Sequence, residues 1–182
     1  MHKNIPDFVR DYLAEHAIDY DYYEHELIFT VEEWEHVKQT VPGTHTKNLF
    51  LTNKKGTFFL VSVESSKRLA INAFRKMVGT SEMSFASPED MMRVLWLTPW
   101  SVTLLGLIHA MKSWYLNPPS RKLSGSPHQG GSKLRVFLDK DLREAEQIGC
   151  HPCRNDATLM LSHAMVEKFL QSVRCEVGII EL

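Results

Sequence analysis

Ten consecutive residues late in the chain, Gly149-Cys150-His151-Pro152-Cys153-Arg154-Asn155-Asp156-Ala157-Thr158, gather side chains that could do chemistry. Glycine permits positive φ and close backbone approach, while proline fixes its own φ and restricts the residue before it. That restricted residue is His151, whose imidazole can hydrogen-bond, bind a metal or exchange a proton near neutral pH. Asn155 adds an amide. A rigid turn carrying a histidine and an asparagine into a strand is a candidate polar site, and equally a structural turn with incidental polar groups. Cys150-His151-Pro152-Cys153 is formally a Cys-x-x-Cys motif, the pattern of thiol oxidoreductases. Those place it at a strand-to-helix junction early in a βαβ unit. Here it comes late and runs toward a strand. Redox chemistry would make Cys150→Ser abolish function. A structural zinc would need two further ligands at suitable spacing. The nine histidines are scattered, and there is neither a second Cys-x-x-Cys nor a His-Glu-x-x-His. Cysteines acting as small hydrophobes give the blander account, so neither a metal nor any other cofactor is expected.

Far upstream lies a second stretch, Thr46-Lys47-Asn48-Leu49-Phe50-Leu51. Taken alone, Lys47 is a surface residue with a snorkelling stem. The chain carries no Gly-x-Ser-x-Gly elbow, no phosphate loop and no Gly-x-Gly-x-x-Gly. Composition bounds the rest. The chain has 182 residues, 43% hydrophobic and 24% charged, and a formal net charge of −1. That is enough for one domain with a real core. With no global basic field, contact with nucleic acid must come from a local patch. No apolar run approaches membrane-spanning length, and the first residues contain no signal-peptide core. Three cysteines argue against a disulfide framework and for a reducing compartment. A cytoplasmic location without membrane attachment is therefore expected.

The elements that must position these residues read as follows. Ile5, Phe8, Val9, Tyr12 and Leu13 predict a helix over 6–16, and Ile18–Tyr22 predicts a half-buried strand. Thr30-Val31-Glu32-Glu33 matches a capping box opening a helix to about Gln39. Lys47–Thr52 and Thr57–Val63 predict a hairpin across Asn53-Lys54-Lys55-Gly56. Helices are expected over 69–78, stopped by Gly79, and over 88–96, capped by Ser87 with Pro88 in the first turn. A short apolar piece covers Leu107–Met111. Leu134–Leu138 reads as a strand, Asp139–Ala145 as a short helix, and Gly149 opens a loop. A strand over Thr158–Leu161 follows, then a helix over 163–173 capped by Ser162, and a closing strand over Val177–Leu182. Irregular interleaving around an antiparallel hairpin predicts a mixed α/β or α+β domain spanning 1–182.

Ser113–Ser132, rich in proline, glycine and serine, reads as an exposed insertion loop. With its flanks it carries Lys112, Arg121, Lys122, Lys133 and Arg135 beside Trp114 and Tyr115. Such a set can hold phosphates and stack bases, or simply be solvated.

The ordered set of Phe29-Thr30-Val31-Glu32-Glu33, Thr46–Leu51, the Lys54-Lys55-Gly56 turn, Ser84–Glu89, Val102-Thr103 with Gly106-Leu107, Val136–Asp139 and Gly149–Thr158 closely resembles the YbaK/ProX-type aminoacyl-tRNA editing domains. The likeness is to the free-standing deacylases of mischarged prolyl tRNA, and it covers nearly the whole chain. It implies a domain on a mixed, partly barrel-like sheet. The implied reaction is hydrolysis of the ester joining a wrong amino acid, alanine first, to the terminal adenosine of tRNA(Pro), with Pro-tRNA(Pro) spared. It also implies tRNA as partner, prolyl-tRNA synthetase as a further one, and no DNA.

Carried over position by position, the resemblance implies that Lys47 holds the terminal phosphate or ribose region. Asn48 bonds substrate or water, with Thr46 beside it. Gly149, His151 and Pro152 close on the aminoacyl group, and Asn155 follows the loop. No covalent nucleophile is required. The resemblance favours binding and shaping for His151 over a general-base role. Asp156 departs from the family's small hydroxyl residue, and Cys150 and Cys153 replace larger apolar side chains. Serine, threonine or another small residue are the alternative substrates. A non-catalytic module docking on tRNA or synthetase is the alternative from another class.

Overall fold

The computed structural model describes residues 3–116 and 133–182. Among the described residues, eight strands form one mixed sheet in the order β1-β7-β6-β2-β3-β5-β8, with β4 added on β2. They are β1 (Asp21–Glu24), β2 (Thr44–Thr52), β3 (Thr57–Glu64), β4 (Ser84–Phe85), β5 (Lys133–Asp139), β6 (Gln147–Cys150), β7 (Ala157–Ser162) and β8 (Val177–Ile180). Seven α-helices among the described residues surround it: α1 (Asp7–Glu15), α2 (Val31–Thr40), α3 (Ile71–Met77), α4 (Pro88–Leu95), α5 (Leu107–Leu116), α6 (Lys140–Glu144) and α7 (His163–Ser172). The architecture is mixed α+β, as the irregular interleaving predicts.

Strand β3 explains the layering. Its residues Thr57–Val63 are buried without a break, as expected of a strand covered on both faces. Phe58 and Leu60 point into a core shared with α1, α4, α5 and α7. Phe59, Val61 and Val63 point the other way, onto Phe74 of α3, Phe137 and Ile180. A third cluster of Ile28, Val37, Val41 and Met160 seats α2.

Local chemistry fixes many boundaries. Thr30 accepts from the Glu33 amide while the Glu33 carboxylate accepts from the Thr30 amide at 2.9 Å, closing the capping box of α2. The β2–β3 turn places Gly56 at φ +68°, and the Asn53 carboxamide accepts from the Lys55 and Thr57 amides. Ser87 and Ser162 cap α4 and α7 through their hydroxyls.

Four expectations shift. The first strand is Asp21–Glu24 rather than 18–22, because pairing with β7 begins at Asp21↔Met160 while Ile18 turns into the core. Helix α5 runs on to Leu116, so residues 113–116 of the supposed loop are helical. The remainder of that insertion lies outside the described residues. The expected loop at Gly149 is instead the end of β6, held by parallel pairing to β2 and antiparallel pairing to β7. Nor does Gly149 supply positive φ: in this loop that conformation falls on Cys153, at +63°. Among the described residues no helix is long and apolar enough to cross a membrane.

Candidate functional site

Strand β2 serves two neighbours in turn. Thr44 and His45 pair with β6, while Thr46–Thr52 pair with β3. Where the chain leaves β6, the Thr46 hydroxyl donates to the Gly149 carbonyl at 2.8 Å and holds the fork closed at its root. Beyond the fork the strands part, and a cleft of about 960 Å³ opens there. A crevice where sheet neighbours separate is a common place for a ligand. Thr46, Lys47 and Asn48 line it from β2, and His151 and Asn155 from the loop after β6. Ile28, Trp34, Phe50, Met91 and Val102 supply apolar walls.

Five of the seven residues singled out in the sequence thus meet in one cleft. Gly149 and Pro152 are buried and do not line it. Gly149 sits where space is tight: a Cβ there would lie 3.1 Å from both Met160 Sδ and Thr158 Cγ2. Asn155 is buried, and its amide donates to the Ile28 carbonyl at 2.9 Å. This bond ties the loop to the segment leading into α2.

A hydrogen-bonded chain sets the floor. The Ser62 hydroxyl on β3 donates to Asn48 Oδ1 at 2.6 Å, Asn48 Nδ2 donates to Thr46 Oγ1 at 3.3 Å, and Thr46 donates to Gly149. Three strands are locked by one relay, so Asn48 is held before any ligand arrives. The Lys47 ammonium donates to the Ser65 carbonyl at 3.3 Å and to the Lys67 carbonyl. An ammonium has three donors. Two carbonyls aim the group and leave one N–H for a ligand.

The loop receiving Lys47 is itself fixed by groups that sequence reasoning missed. Asp139, fully buried, accepts from the Glu64 amide at 3.2 Å and pairs with Lys67 at 2.9 Å. Lys67 also pairs with Asp141 at 2.7 Å. Glu64 accepts from the Ser66 amide at 3.0 Å and from the Ser65 and Ser66 hydroxyls. Burial pushes the Glu64 carboxyl up, and these bonds outweigh it and hold it below the usual range. A lone buried Asp at the end of an apolar strand was the available signal.

Histidines crowd the opposite wall. His151 packs edge-on against Trp34 at 5.8 Å between ring centres and lies 6.1 Å from His25, while Trp34 also meets His45 at 5.3 Å. Burial, reinforced by His25 and His45, lowers His151 to about 4, with Asp156 opposing. It is therefore neutral at pH 7 and a weak base, which suits hydrogen bonding and shaping better than proton abstraction. Its Nε2 is withdrawn from solvent without a partner. His45 is lowered by burial too, with Nε2 bound to the Val41 carbonyl at 2.9 Å. His25 Nε2 meets Thr158 Oγ1 at 3.1 Å.

Burial pushes both Cys150 and Cys153 up to about 12, so neither thiol ionises near neutral pH and the redox reading loses its nucleophile. Among the described residues no trio of His, Cys, Asp or Glu is placed to hold a metal. The Asp156 carboxylate is bound by Arg154, with Nε donating at 2.9 Å; this bond lowers its pKa despite burial. Its charge is matched internally, which removes the conflict with a polyanion.

Comparison with known proteins places the chain in a family. The bovine prolyl-tRNA synthetase associated domain-containing protein 1 is 36% identical over 167 residues, covering 89% of this chain and 84% of that one. The prolyl-tRNA editing protein ProX of Acetoanaerobium sticklandii is 26% identical over 161 residues, covering 88% and 87%. A crystal structure described as that of a candidate trans-editing enzyme for prolyl tRNA synthetase matches with a TM-score of 0.63 at 16% identity, over 96% of this chain and 97% of that one. At that identity it speaks for the fold alone. The aminoacyl-tRNA editing domain profile matches residues 25–169, and the chain belongs to that family.

Proposed function

We propose that this chain is a trans-acting deacylase that hydrolyses the aminoacyl ester of mischarged tRNA(Pro), with alanine as first substrate and Pro-tRNA(Pro) spared. The observation that carries it is the convergence of Lys47, Asn48, His151 and Asn155 on one cleft that offers no ionised thiol. The relatives named for prolyl-tRNA editing and synthetase association support the choice of tRNA. The need for a second site is physical. A pocket built for proline gains only about 1–3 kcal/mol against a residue smaller by one or two methylenes. A cleft that admits small side chains and excludes proline adds the missing selectivity.

The reaction needs no covalent intermediate. Water adds to the ester carbonyl, the C–O bond to the ribose breaks, and the ribose oxygen leaves with a proton. Lys47 fixes the phosphate or ribose side as a point charge. Asn48, held by Ser62, positions water or substrate, backbone N–H groups face the developing oxyanion, and His151 shapes the aminoacyl end. A ribose hydroxyl of the substrate assists the proton transfer. The test charges tRNA(Pro) with alanine, serine, threonine or proline and follows release by the native chain and by Lys47→Ala. Release of one small residue with proline spared is expected, reduced about a hundredfold in the variant, as for loss of one oriented donor. Full activity of Lys47→Ala would overturn the assignment. No release from any species, with tRNA still bound, would favour a binding module.

A further inference from the structure

The cleft does not end at Lys47. Lys47, Leu49 and Phe85 also wall a neighbouring cavity of about 600 Å³, closed on its far side by Arg68, Leu69 and Asn72. Phe85 stands on the partition, carried by the two-residue β4 in register with Leu51 of β2. Its residue is 60% exposed although its register partner Leu51 is fully buried. An exposed ring between two cavities offers a flat apolar face to whatever crosses from one to the other. Arg68 is exposed and makes no hydrogen bond or ion pair among the described residues, whereas Arg10, Arg93 and Arg154 are each held by a carboxylate. A free guanidinium and an aromatic face across one groove match the two halves of a nucleotide. The ring stacks a base, and the guanidinium takes a phosphate in bidentate fashion.

We propose that the second cavity binds the nucleotide preceding the terminal adenosine of the substrate RNA, its base stacked on Phe85 and its phosphate held by Arg68. Lys47, at the shared wall, then meets the terminal nucleotide. This assignment rests on the editing reading, since the single-stranded acceptor end must thread the groove to bring its ester into the cleft. It adds Phe85 and Arg68 as positioning residues for that reaction.

The experiment uses a fluorescently labelled single-stranded RNA ending in cytidine-cytidine-adenosine, followed by anisotropy, beside charged tRNA hydrolysis. Phe85→Ala is expected to weaken binding about 5- to 150-fold, the range for loss of one stacked base, and Phe85→Tyr to restore it, while Arg68→Gln weakens binding through its lost phosphate contact. With charged tRNA the same variants raise KM with little change in kcat. Their kcat/KM advantage for tRNA over 3′-O-alanyl adenosine, which cannot reach the second cavity, falls accordingly. Native-like RNA affinity in both variants, or a Phe85→Tyr protein as weak as Phe85→Ala, overturns the proposal. If the native chain binds RNA through Phe85 and Arg68 yet hydrolyses no aminoacyl ester, the editing reading fails while the groove stands. If it hydrolyses charged tRNA with kcat/KM unchanged in both variants, the groove fails while editing stands.

Discussion

Burial lowers the His151 pKa to about 4 from the ordinary 6.5, with His25 and His45 acting in the same direction. The unfolded chain therefore takes up this proton first as pH falls. The stability linked to neutral His151 is fully present above about pH 6.5 and is lost progressively between 6.5 and 4, by up to about 3 kcal/mol at 1.36 kcal/mol per pH unit. Asp156 and Glu64, both held below the usual carboxylate range, lose their contributions as acid approaches their own lowered values, which is also destabilising. Urea unfolding at pH 7 and pH 4.5 should separate the two causes: His151→Gln is expected to lose less stability across that interval than the native chain. An equal loss would mean that the carboxylates dominate. A further expectation concerns the thiols. With both near 12, Cys153→Ala should keep at least half the native deacylation rate, and thiol reagents at pH 7 should react slowly with the folded chain. Rapid labelling of Cys150 or Cys153 would contradict the burial that sets those values.

At the scale of elements, the cleft depends on β6 lying close against β7 and β2. Gly149→Ala would place a methyl 3.1 Å from Met160 Sδ and Thr158 Cγ2 and strain the strand that carries the Thr46 bond. A cost of about 1–3 kcal/mol is expected, as for overpacking elsewhere, read as a lowered thermal midpoint together with lost activity. An unchanged midpoint would show that the fork can relax. What sequence could reveal here follows the range of the interactions. The capping box at Thr30, the Gly56 turn and the Ser162 cap are local, so spacing along the chain exposes them. His151 stands out in its own turn, but Lys47, and its meeting with His151, announce themselves only through the family resemblance, because that meeting depends on β2 pairing with two strands far apart in sequence. Strand β6 escaped because glycine and cysteine, with only four paired residues, give no alternating pattern. The Ser62–Asn48–Thr46 relay, the Asp139–Lys67 brace and the exposed Phe85 are long-range products of the register, with no periodic signature at all.

Across the whole molecule, a net charge of −1 leaves little field to attract a polyanion, so affinity must come from a few placed cations. Not every basic residue is available for this. Arg135, grouped in the sequence with the aromatic insertion, lies over the Phe59 and Phe137 rings at 5.7 and 5.2 Å and donates to the Val78 carbonyl at 3.3 Å. That places it on the α3 side of the sheet and away from the cleft. Lys38, at the cleft rim, pairs with Glu35 at 2.6 Å. Lys47 and Arg68 are left to face the RNA strand. Each phosphate neutralised on a single strand contributes about −0.7 to the slope of log K against log salt, so two contacts predict a slope near −1.4. Titrations of the cytidine-cytidine-adenosine oligonucleotide between low and moderate salt should give that value, and Arg68→Gln should roughly halve it. A folded tRNA held only by its acceptor end gives the same slope as the oligonucleotide. A slope of about −3 or steeper for tRNA, beside an unchanged oligonucleotide slope, would assign the excess to further cations, with Lys112, Arg121, Lys122 and Lys133 first to be substituted.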